Sequence, residues 1–135
     1  MAREKLPRPT DAELEILNVL WSRGACTVRE IHDTINETKP NVYTTILKMM
    51  QIMTEKGLVK RDDAERAHRF EPCLAREETQ QQLVGDLLDR AFAGSASQLV
   101  MQALASKRTS PAELKQIREM LDAVQAEREA RRAKK

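Results

Sequence analysis

Aromatic residues are scarce here: one Trp, one Tyr and two Phe among 135 residues. An interior must therefore be built from Leu, Ile, Val and Met. A chain of this length has room for one ordinary domain or two small ones, each needing help to bury enough apolar surface, which a dimer would supply. Cysteine is almost absent as well. Cys26 and Cys73 lie far apart with no CxxC or CxC pattern, which argues against a disulfide framework and a zinc knuckle. Both are expected to be reduced, half-buried packing residues. No apolar run is long enough to span a bilayer, and no signal-peptide core follows the polar start MAREKLPRPT, so a cytoplasmic protein is expected.

Catalytic signatures are also missing. There is no phosphate-loop glycine pattern, no GxSxG elbow and no HExxH pair. Glu13 and Glu15, or Asp62 and Asp63, resemble acid/base pairs, but they fall on a helix and a hairpin tip and read as solvated faces. His32, His68 and the cysteines show no ligand spacing. No enzyme, no metal site and no cofactor are expected. The formal charge of only +2, from 23 basic and 21 acidic residues, says little about a nucleic-acid partner. Its local distribution says more: between Lys39 and Arg61 the bases Lys39, Lys48, Lys56, Lys60 and Arg61 meet the single acid Glu55.

What is present is organised around residues 41–57, NVYTTILKMMQIMTEKG. At helical spacing Val42, Ile46, Met49, Met50 and Met53 share one side, and Thr44, Lys48, Gln51 and Glu55 share the opposite one. The first side is expected to be buried. The second offers hydroxyls, an amide and an ammonium, groups that donate to phosphates and read base edges. Pro40 breaks the chain, Asn41 is the expected N-cap and Gly57 the expected C-cap. Upstream, Pro7 and Pro9 impose an extended lead-in, and Thr10 with Glu13 forms a capping box for a helix bearing Leu14, Ile16, Leu17, Leu20 and Trp21 up to Gly24. Thr27 with Glu30 opens a shorter helix whose stripe is Val28, Ile31 and Ile35, ending near Thr38. Helix, short helix, tight turn and longer helix make a helix-turn-helix core. After Gly57, residues 58–61 and 68–71 are expected to be strands joined by the polar 62–66 and stopped at Pro72, the wing of a winged helix. Residues 1–73 form the expected winged helix-turn-helix domain.

Residues 74–135 carry no strand signal. Val84, Leu87, Leu88, Ala91 and Phe92 share a face of the helix expected over 76–93. Residues 95–106 are apolar on two sides through Leu99, Val100, Ala103 and Leu104, so that segment is expected to be enclosed by other helices. Ser110, Pro111 and Glu113 supply a third capping box, followed by Leu114, Ile117, Leu121 and Val124 at spacings of three and four. Helices this few and this apolar call for self-association. The expected interface of a helical dimerisation domain over 74–135 is therefore Val84, Leu87, Leu88, Leu114, Ile117, Leu121 and Val124, with 127–135 a solvated charged end. The fold class is mainly α with a small β-hairpin wing.

A helix in a major groove contacts bases through its N-terminal half, here Thr44, Thr45 and Lys48, with Gln51 one turn further on. Tyr43, on the flank, either reaches a phosphate or covers the turn. On the wing, Arg66, His68 and Arg69 can reach the backbone across the minor groove, and Arg66 at the tip is the best placed.

The segment NVYTTILKMMQIMTEKGLVKRD, preceded by ELEILNVLW and followed by HRFEP, resembles the penicillinase and methicillin-resistance repressors, BlaI/MecI-like winged-helix transcriptional regulators. The similarity continues through EETQQQLVGDLLDRAF and SPAELKQIREML, and thus covers nearly the whole chain. The resemblance implies a homodimeric repressor binding a pseudo-palindromic operator, with base contacts at Thr44, Thr45, Lys48 and Gln51 of a recognition helix over 41–56. It also implies control of beta-lactam-type resistance or stress genes, relieved through a membrane-bound sensor peptidase. Where family members are cut between Asn and Phe, this chain has Gln102 and Ala103. Ile52 stands where some members carry arginine, and the paired CxC motifs of the copper-responsive branch are absent. Two other classes remain open on the residues alone. One is a metal- or redox-sensing repressor using Cys26, Cys73 and the histidines; the other is a winged-helix protein-interaction module.

Overall fold

The computed structural model describes residues 7–64, 66–106 and 108–134. Its elements in order are α1 (Asp11–Arg23), α2 (Val28–Asn36), α3 (Tyr43–Lys56), β1 (Val59–Asp62), β2 (Arg69–Pro72), α4 (Arg76–Ala91), α5 (Ala96–Ala105) and α6 (Pro111–Ala133). The chain divides within α4 into two units, one up to Asp86 and one from Leu87.

Local chemistry sets the ends of the first helices. The Thr10 hydroxyl accepts from the Glu13 N–H at 3.2 Å while Glu13 Oε1 accepts from the Thr10 N–H at 2.8 Å. Thr27 and Glu30 repeat the arrangement at 3.2 and 2.9 Å. Each box satisfies two donors that the helix start would otherwise orphan. At the far end of α3, Gly57 takes φ 83°, a left-handed cap that glycine adopts without a Cβ clash, and the Leu58 N–H turns back to Met53 O at 2.9 Å. The Leu58 N–H is thus spent on the helix cap while its carbonyl still accepts from the Cys73 N–H at 2.9 Å, and the strands begin and end one residue later than the expected 58–61 and 68–71.

The core of the first unit joins the inward faces of all three helices: Ile16, Leu17 and Leu20 from α1, Val28, Ile31 and Ile35 from α2, and Ile46, Met50 and Met53 from α3. Leu58, Val59 and Phe70 close it from the wing. β1 and β2 pair antiparallel with Arg61 opposite Phe70, and Phe70 also exchanges both backbone hydrogen bonds with Cys26, at 3.1 and 2.8 Å. The link between α1 and α2 is thereby stitched to the hairpin. The Trp21 indole N–H donates to Leu74 O at 3.0 Å, just before α4, and Arg8 pairs with Asp86 within it, which fastens α4 up to Asp86 onto the three-helix core.

Several expectations are corrected. Asn41 is not the N-cap of α3: Val42 holds that position with no side-chain cap. The Asn41 amide instead serves the preceding turn, its backbone N–H donating to Asn36 Oδ1 at 3.1 Å and its Nδ2 to Lys39 O at 3.2 Å. Val42, placed outside the first helical turn, is exposed rather than buried. Cys26 is buried and Cys73 exposed, so neither is half-buried. Ser110 caps α6 by accepting from the Glu113 N–H, the one half of the expected box that is formed. In the second unit neither α5 nor α6 has a buried residue, so α5 is not enclosed as its two apolar sides suggested. A single copy offers too few helices to cover it.

Candidate nucleic-acid interface

Burial of Ile46, Met50 and Met53 fixes the rotation of α3 and leaves its opposite face to solvent. Thr44, Thr45, Lys48, Gln51 and Glu55 are all exposed there. Two apolar residues flank that face with 37% of their surface exposed: Leu47, which sequence reasoning missed, and Ile52, which stands where some family members carry arginine. The start of the helix is braced from α2. His32 sits edge-on to the Tyr43 ring, with centroids 5.9 Å apart, and its Nε2 lies 3.2 Å from Asn41 O. Arg29 lies over the Tyr43 ring at 5.1 Å.

The wing residues divide. Arg66 is exposed in the hairpin loop, beside Glu65, which lies outside the described residues. His68 is exposed, its Nδ1 3.4 Å from an Asp63 oxygen that Arg61 Nε also approaches, at 2.7 Å. Arg69 turns inward to Glu30 at 3.0 Å, tying the wing to α2. The Thr27 N–H in the first place, then, against a desolvation cost, the Thr27 hydroxyl and Arg69, hold the Glu30 carboxyl below its ordinary value. It therefore stays ionised and keeps the wing anchored at neutral pH.

A second ion pair was not legible in the sequence. Glu13, read as solvated, is only 4% exposed, and Lys56 donates to both its oxygens, at 2.8 and 3.1 Å. The pair clips the C-terminal end of α3 to the N-terminal end of α1. Cys26 donates its thiol to Gly24 O at 3.2 Å, and burial, reinforced by the charge of Glu30, pushes its pKa up. A thiol held protonated is a poor nucleophile and metal ligand. Among the described residues no three His, Cys, Asp or Glu side chains come together as a metal cage. No helix among them is long and apolar enough to cross a membrane.

In the second unit, Leu87 of α4 and Leu114, Leu121 and Val124 of α6 are exposed, as is Val84 on the same face of α4, while Leu88 and Ile117 are partly covered. Gln102 and Ala103 lie exposed within α5.

Three helices around one small core, the third with its polar face uncovered and followed at once by an antiparallel hairpin, define a winged helix-turn-helix protein. The sequence profile of the penicillinase repressor family matches residues 9–123, and the chain belongs to that family. It is 35% identical over 88 residues to the transcriptional regulator BlaI of Mycobacterium tuberculosis, a match covering 64% of each chain. The match therefore spans less than two thirds of the length of that relative. A penicillinase repressor of Bacillus licheniformis is 22% identical over 119 residues, covering 88% of this chain and 93% of that one. Among solved structures, the monomeric form of Bacillus licheniformis BlaI in complex with the blaP half-operator matches at 24% identity with a TM-score of 0.49, over 55% of this chain and 90% of that chain.

Proposed function

We propose that this protein is a transcriptional repressor that binds a pseudo-palindromic operator as a homodimer. The observation that carries the reading is the uncovered face of α3, where Thr44, Thr45, Lys48 and Gln51 stand together on a helix whose opposite side is locked in the core. In a major groove the hydroxyls and the amide meet base edges or phosphates, and Lys48 donates to guanine or to a phosphate. Arg66 follows the backbone from the wing. Arg69, already engaged with Glu30, reaches DNA only by leaving that partner.

The residues from 74 onward supply the second copy. The exposed Val84, Leu87, Leu114, Leu121 and Val124 and the partly covered Leu88 and Ile117 form apolar faces on α4 and on α6 whose burial is worth about 1.5 to 3 kcal/mol per large side chain. Two-fold symmetry then sets two reading helices about one duplex turn apart. Family membership supports beta-lactam-type resistance or stress genes as the targets, relieved by a membrane-bound sensor peptidase. Gln102 and Ala103 are then the candidate cleavage pair. Intact protein after full induction by a beta-lactam would retire that part of the proposal.

The central claim is tested with operator fragments selected from genomic DNA. Titration against the selected duplex and a scrambled one should give tighter, salt-sensitive binding to the former, and Lys48→Ala should weaken it by about 1 to 3 kcal/mol if Lys48 meets a base. Equal affinity for both duplexes would remove the operator from the proposal, and unchanged binding by Lys48→Ala would remove Lys48 from the interface.

A further inference from the structure

We infer that Arg29 is a DNA phosphate contact held ready by Tyr43, which acts as a positioning residue and not as a contact of its own. This rests on the operator-binding reading and extends the interface to α2, outside the recognition helix. Arg29 is the second residue of α2 and is exposed; its guanidinium carbon lies 5.1 Å from the centre of the Tyr43 ring, within cation-π range. His32 meets the same ring edge-on and is itself tied to Asn41 O at 3.2 Å, so the ring is fixed from a second direction.

The charge of Arg29 is not neutralised among the described residues. The acids nearest it along α2 face other groups: Glu30 pairs with Arg69 at 3.0 Å, and the exposed Asp33, one turn on, lies 3.1 Å from the His32 ring. Arg61, by contrast, is held by Asp63 at 2.7 Å. Arg29 therefore combines a full charge, exposure and restricted motion. A guanidinium already stacked has less rotamer freedom to give up on meeting a phosphate than a free surface side chain has. It borders a groove of about 360 Å³ whose walls include Leu47 and Gln51 of α3 and Arg61 and His68 of the wing, and no carboxylate lines it. That groove runs beside the reading face of α3, where the phosphate strand edging a major groove passes when the helix enters.

The test is the salt dependence of binding to the selected operator, measured for the full-length protein and its variants. Arg29→Ala should lower the slope of log affinity against log salt by about 0.9 per protomer, the signature of one lost phosphate contact, and should weaken operator and scrambled duplex alike. Tyr43→Phe keeps the ring and should behave as the parent. Tyr43→Leu should reproduce the slope loss, and adding it to Arg29→Ala should cost nothing more. An unchanged slope in Arg29→Ala overturns the inference, as do additive losses in the double variant, which would make Tyr43 a contact in its own right. Should Tyr43→Leu fail to fold, Arg29→Ala and Tyr43→Phe decide alone: the first must lose slope and the second must keep it. Failure of the parent protein to prefer any duplex would instead sink the operator-binding reading itself.

Discussion

Replacing Lys56 with methionine isolates the charge that clips the recognition helix to α1. Methionine keeps an unbranched apolar stem of similar reach, so the change removes the ammonium and little else. Left behind is a Glu13 carboxylate, 4% exposed, held by Thr10 alone, chiefly through its N–H at 2.8 Å. Breaking a buried pair from one side costs about 3 to 5 kcal/mol. The Lys56 side chain is 40% exposed, so water already screens part of the attraction, and the expected cost is about 2 to 3 kcal/mol at neutral pH. For a unit of this size that lowers the melting temperature by about 10 °C.

The pH dependence separates this charge effect from a simple packing loss. Burial is the largest single influence on the Glu13 carboxyl and raises its pKa. The Lys56 ammonium together with the Thr10 N–H and hydroxyl outweighs it, so the folded value lies below the ordinary 4.5. In the parent protein the pair thus contributes stability that is complete above that ordinary value and is lost as pH falls through the lower folded one. Without Lys56 its hydrogen bond and its charge no longer hold the value down, so the folded carboxyl titrates higher than in the parent and is protonated at a higher pH. Denaturant unfolding of both proteins should therefore show a stability gap that is large at neutral pH and shrinks as the pH falls toward the folded value of the parent carboxyl, below the ordinary 4.5. A gap that stays constant would show that the ion pair is not its cause, and no gap at either pH would show that the pair contributes nothing.

Other consequences follow from single positions. Gly57→Ala places a Cβ at φ 83° with nothing within 4 Å of it, so the cost is backbone strain alone, about 1 kcal/mol by denaturant unfolding. Leu121→Asp sets a charge in an exposed apolar face of α6 and should convert the dimer to monomers in sedimentation equilibrium, with the helical signal retained. A maleimide reagent should label exposed Cys73 in the native protein and reach Cys26, 2% exposed and with a raised thiol pKa, only on unfolding.

The sequence by itself determined the order of the elements, most of their ends and the inward stripes of the first three helices. Capping boxes at Thr10 and Thr27, the glycine cap at Gly57 and the stripes Val28, Ile31, Ile35 and Ile46, Met50, Met53 are written along one segment at a time. The exposure of Thr44, Thr45, Lys48 and Gln51 follows from the same periodicity. Tertiary structure decided what lies opposite each face, because periodicity marks a side as inward or outward without naming its neighbour. It paired Glu13 with Lys56 from 43 positions away, turned Arg69 to Glu30, and stitched Cys26 to Phe70. It also laid Arg29 over Tyr43, and the Asn41 side chain turned back to Lys39 O, away from the helix it was expected to cap. Apart from the local turn at Asn41, each of these contacts joins residues on separate segments, and its geometry exists only after the helices and hairpin have closed on a common core.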